Sequence, residues 1–186
     1  MSDNVNTHTY HLGPDDKVAL VMIYTPQNLY WGDVIVKQMV RVSTWLRTNN
    51  APNSVRLLNA KSMLSTTAAP LKPMSFDEVH IFTSEIVAFH LMPPAMDPVD
   101  YDTREPNRKM EPITAMVGPF RMDGYLRMST MANLDKYVEV TREPFTGVYD
   151  VEITNPYMPA FKMLKVPYVL ISQSKAAYAT RAKPAV

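Results

Sequence analysis

"LYWGDVIVKQMVRVSTWL" (29–46) and "RMDGYLRMSTMANLDKYV" (121–138) decide how this chain is read. Shifted by 92 positions, the first lies on the second without a gap. Gly32 falls on Gly124, Val34 and Val36 on Leu126 and Met128, Val42 on Leu134, Trp45 on Tyr137 and Leu46 on Val138. Agreement of residue class at a fixed offset is what a diverged internal repeat leaves behind. Each stretch supplies an alternating strand entered at a glycine, where a bulge or sharp bend fits. Each then supplies a short helix, because its last three apolar residues stand at i, i+3 and i+4.

Working outward, "KVALVMIYT" (17–25) and "EPITAMVGP" (111–119) precede these stretches and read as strands. Residues 55–64 and 78–92 extend the first copy, the latter bending near Thr83–Glu85; residues 147–154 and 160–174 extend the second. Pro167 interrupts the last of these, which predicts an edge strand or a corner there. Asn133 is placed to cap the second helix, with Asp135 in its first turn. The expected fold is mainly β: two tandem small β-barrel or β-sheet units, residues 17–92 and 110–180, each with one short helix. Residues 93–109 hold four prolines and seven charged residues and read as a semi-rigid linker. Residues 1–16 and 181–186 read as polar tails.

Sixteen prolines against five glycines fit this reading, since proline fixes φ and removes a backbone donor, disfavouring long helices. A formal charge of +1 excludes a strong global field toward nucleic acid or an anionic membrane. The absence of cysteine removes disulfides, thiolate metal sites and cysteine nucleophiles, and is compatible with a reducing cytoplasm, the expected location. No secretory leader and no transmembrane run is read from the sequence.

The stretch from Phe120 to Thr154 resembles an uncharacterised family of small bacterial β-rich domains, known only as a domain of unknown function. Phe120, Met122, Asp123, Gly124, Leu134, Tyr137, Val138, Asp150 and Val151 occupy the matching positions. The first copy is similar but departs at Asn28, Trp31 and Asn59. The resemblance implies a tandem copy of that domain and brings no activity with it.

A search for chemistry returns little. His8 and His11 lie in a tail without further ligands, so neither a metal nor a cofactor is expected. No glycine-rich phosphate loop and no serine elbow occurs. His80 or His90 acting with Asp150 is a third-ranked enzymatic reading, and no catalytic residue is assigned. Met, Pro and aromatic residues recur in loops, nominating Tyr30, Trp31, Met63, Leu64, Met74, Tyr157, Met158 and Phe161 as interface residues. The expectation is therefore a non-enzymatic interaction or scaffold subunit, part of a homo-oligomer or larger assembly, because units of this size bury too little surface to stand alone. The alternative is a small β-barrel binding nucleic acid or a nucleotide-type ligand through Arg41, Arg47, Arg56 and Lys61, with Lys72 beside them.

Overall fold

The computed structural model describes residues 11–48, 51–66, 72–158 and 163–180. Ten strands occur among them: β1 (Asp16–Tyr24), β2 (Asn28–Lys37), β3 (Ser54–Leu64), β4 (Met74–Phe82), β5 (Ala88–Leu91), β6 (Arg108–Val117), β7 (Phe120–Ser129), β8 (Phe145–Thr154), β9 (Leu164–Ser172) and β10 (Ala177–Thr180). All belong to one antiparallel sheet of order β10-β6-β7-β8-β9-β5-β1-β2-β3-β4. The expected β content is present, but the sheet is not closed into a barrel. It ends at β4 on one side and at β10 on the other.

The sheet order can be read in two blocks. Residues 16–91 contribute strands in the order fifth, first, second, third, fourth; residues 108–180 do the same. The blocks meet where β5 pairs with β9, Ala88 opposite Ile171 and Phe89 opposite Leu170. The Ser172 N–H donates to Val87 O at 2.9 Å across this joint.

Local details recur at matching places. In β2 the register with β3 shifts between Trp31 and Asp33, and in β7 the register with β8 shifts between Asp123 and Tyr125. Gly32 and Gly124 sit at these bulges, where a Cβ would stand 2.8 Å from Leu58 O or from Tyr149 O. Only glycine lets the backbones come so close. Opposite the bulges, Asn59 (φ 47°) and Asp150 (φ 49°) adopt the left-handed conformation. Asn and Asp enter that region more readily than other side chains because their short polar groups bond locally.

Helical turns also recur. A six-residue 3-10 helix, Val42–Arg47, follows β2, and α1 (Leu134–Val140) follows β7. Asn133 caps α1 as its sequence predicts, Oδ1 accepting the Lys136 N–H at 2.9 Å. Three-residue 3-10 turns at Thr83–Glu85 and Gln173–Lys175 separate the fourth strand of each block from the fifth. The first of these is the bend expected within 78–92.

Pro167 is neither at a sheet edge nor at a corner. It lies inside β9, between β8 and β5, and falls opposite Asp150 where the β8–β9 ladder skips a pair. The pairing with β5 reaches only Leu170 and Ile171, so no β5 partner is denied a donor at Pro167.

The core forms two clusters. One holds Val21, Ile23, Val34, Leu46, Val55, Leu57 and Phe89, with Phe145 and Leu170 from the second block. The other holds Ile113, Phe120, Met122, Leu126, Val148, Val151 and Val169, with Met22, Tyr24 and Leu29 from the first. Adjacent residues of β1 thus enter opposite clusters, so the strands at the joint are buried on both faces. That explains the unbroken apolar run of 21–24, where β5 pairs with β1; before it, Val18 and Leu20 are exposed.

Candidate functional site: the internal joint and the two free edges

Residues 92–107, between β5 and β6, contain no strand and pack over the β5–β9 joint. Asp97 Oδ2 accepts the Ser43 backbone N–H at 2.8 Å, at the first turn of the 3-10 helix. Asp100 is held from three sides. Its Oδ1 accepts the Tyr149 hydroxyl at 2.6 Å, and its Oδ2 accepts Arg47 Nη1 at 3.1 Å and the Tyr168 hydroxyl at 3.4 Å. Arg47 also donates to the Tyr168 hydroxyl at 3.0 Å and, through Nε, to Glu143 at 2.8 Å. Tyr101 stacks edge-on against Tyr149, which meets Tyr168 in the same way, and the Arg127 guanidinium lies 4.6 Å above the Tyr101 ring. Burial and the adjacent carboxylate push the Tyr149 phenol far above its ordinary range. Burial first, then the same carboxylate against Arg47, carries Tyr168 to about 12. Both phenols are therefore locked as donors to Asp100.

The free edges are chemically distinct. β4 has nine residues, and Ile81 alone is buried, with Val79 half-covered; Met74, Phe76, Glu78, His80 and Phe82 stand exposed on the opposite face. Thr83 N–H donates to Asn53 O at 2.9 Å, which directs the odd-numbered backbone groups of β4 toward β3. The even-numbered ones point to the open side by alternation. β10 is described over Ala177–Thr180 and, among the described residues, pairs with β6 alone.

The nominated residues scatter. Trp31 and Met63 pack against one core cluster, Met158 belongs to that cluster, and Tyr30 packs against the other. Leu64, Met74 and Tyr157 are exposed. Phe161 and His8 lie outside the described residues. Arg47 is engaged by Asp100 and Glu143, and Arg56 by Glu78, while Arg41 borders a cavity beneath residues 95–100 and Lys61 stands exposed on β3. His80 and His90 are not joined to Asp150. The His80 ring meets Glu78, whose carboxyl is held below its usual range by Arg56 and then by His80. His90 is buried in β5; its Nδ1–H donates to Leu91 O at 2.7 Å and its Nε2 accepts the Tyr24 hydroxyl at 2.9 Å. Burial lowers it to about 4, which keeps the ring neutral.

The residues that sequence reasoning missed are Asp97, Asp100 and Tyr168 at the joint, and Phe76 and Phe82 on the free edge. The only available signal for the last two was the alternation of "MSFDEVHIF" (74–82), with aromatic or apolar residues on the face opposite Val79 and Ile81. Among the described residues no group of acids and histidines is arranged to hold a metal ion, and no helix is long and apolar enough to cross a membrane. Comparison with protein-family models, with curated proteins and with solved structures finds no match.

Proposed function

We propose that the protein is a duplicated, non-enzymatic assembly subunit whose copies join head to tail by sheet extension, β4 of one copy pairing with β10 of the next. The observation that carries this reading is the internal joint. There, a fourth strand (β9) pairs with a fifth strand (β5), and the strands left unpaired at the two ends are the other fourth and the other fifth.

Transferring the joint gives a register. Ala88 opposite Ile171 becomes Ala177 opposite Ile81, and Phe89 opposite Leu170 becomes Tyr178 opposite His80. The backbone polarity agrees: Ser172, whose N–H crosses the internal joint, corresponds to Phe82, an even-numbered residue whose groups face the open side. Unpaired edges of this length are templates for strand addition and proteins seldom leave them uncovered. Such a contact uses different surfaces on the two copies, so it generates a ring where the rotation closes and a filament where it does not.

Light scattering on the purified chain tests this. The parent is expected at a discrete multiple of the single-chain mass. His80→Pro is expected at the single-chain mass with an unchanged far-ultraviolet spectrum, because it removes only an N–H that points away from β3. A parent that remains a single chain at micromolar concentration removes the reading. Of the four basic residues nominated for nucleic acid, Arg47 and Arg56 are already paired with carboxylates, which leaves Arg41 and Lys61 to carry that alternative.

A further inference from the structure

Beneath residues 95–100 lies a cavity of about 380 Å³, walled by Leu91, Met96, Val99, Pro167 and the ring of Tyr168. Three charged residues border it, Arg41, Asp97 and Asp100, and the last of these is already held by Arg47. Ser43 lies between the first two: Arg41 Nε donates to Ser43 Oγ at 3.4 Å, and Asp97 Oδ2 accepts the Ser43 N–H at 2.8 Å. Among the described residues Arg41 forms no ion pair, with Asp97 or with any other acid, and Asp97 Oδ1 accepts nothing. The remaining polar groups at the cavity, Asp100 with Tyr149 and Tyr168, are satisfied by one another and by Arg47.

We infer that this cavity binds a small zwitterion with an apolar body, of the class of an α-amino acid with an apolar side chain. Its carboxylate meets the Arg41 fork, its ammonium meets Asp97 Oδ1, and its side chain fills the apolar wall. The pair of charges decides the class. A bare carboxylate at Arg41 would also face Asp97, and a bare amine at Asp97 would face Arg41; in each case a like charge opposes the attraction. A zwitterion satisfies both, and planar bidentate capture of a carboxylate is the geometry an Arg side chain provides. The apolar wall supplies affinity without further polar partners. This site is independent of the free edges, and its binding does not require assembly.

Calorimetric titration with L-phenylalanine, 3-phenylpropionate and phenethylamine tests the inference on the full chain. Phenylalanine is expected to saturate, with each analogue weaker by roughly tenfold or more. In Asp97→Asn, which retains a carbonyl for the Ser43 N–H, the advantage of phenylalanine over 3-phenylpropionate is expected to vanish. In Arg41→Gln, the advantage over phenethylamine is expected to vanish. Circular dichroism confirms that both variants keep the fold. No saturation by phenylalanine or by L-leucine at about 10 mM, or either analogue binding as tightly as phenylalanine, overturns the inference.

Discussion

The two longer helical elements among the described residues, Val42–Arg47 and α1, have the same apolar spacing and opposite surroundings. Val42 and Leu46 of the 3-10 helix are buried, Trp45 packs against the same cluster, and the helix lies against β5, β8 and β9, over the internal joint. In α1 no residue is buried: Leu134 and Tyr137 are half-covered, Val138 is 46% exposed and Val140 is 60% exposed. The difference does not come from helix pattern. It comes from what stands beside each helix. Where a fourth strand joins a fifth strand the apolar stripe is covered, and where the sheet stops it is left open. A seven-residue helix gains almost nothing from propensity alone, so an apolar face with no cover calls for a partner. In the proposed assembly that partner is β4 of the next copy.

The contrast can be broken first at its buried end. Leu46→Ala removes a fully buried side chain at the joint and is expected to cost about 2–5 kcal/mol in urea unfolding. A loss below 1 kcal/mol, read against the roughly 2 kcal/mol floor for such truncations, would mean the helix is not seated as described. The bulges come next. Gly32→Ala and Gly124→Ala each place a methyl 2.8 Å from a backbone oxygen, and similar losses of roughly 1–3 kcal/mol are expected from both. Unequal losses would separate the two blocks physically despite their shared geometry. The smallest effect sharpens the comparison most. Val138→Ala is expected to change the unfolding free energy of the dilute single chain by less than about 0.5 kcal/mol, yet to weaken association measurably by light scattering. A variant that leaves association untouched detaches α1 from the contact.

Much of the fold was legible because its signals are local. Alternation at Val34 and Val36 and at Leu126 and Met128, the glycines that became bulges, the Asn133 cap and the bend at Thr83–Glu85 each depend on neighbouring residues only. Closure was not legible, because whether β4 returns to its own block's β5 or leaves it for β9 is a pairing between distant strands. Pro167 misled for a related reason. Proline is barred from a fully paired strand, but here Asp150 opens a gap opposite it and β5 ends short of it. The contacts of the connector were not legible, because Asp97 and Asp100 find their donors in Ser43, Arg47, Tyr149 and Tyr168, all distant in sequence. Of the nominated interface residues Met158 is core, while Leu64, Met74 and Tyr157 are exposed; Phe76 and Phe82, exposed as well, lie on β4.

Because the chain has no cysteine, one engineered pair tests the head-to-tail contact most directly. His80→Cys with Tyr178→Cys puts the thiols on β4 and β10, at opposite ends of the sheet, where one chain cannot link to itself. Directly opposed strand residues lie within reach of a disulfide. Mild oxidation is expected to give reducible multimers from the double variant, and at most dimers from each single variant. Monomers throughout, or equal multimers when Phe76→Cys replaces His80→Cys, would contradict the proposed register.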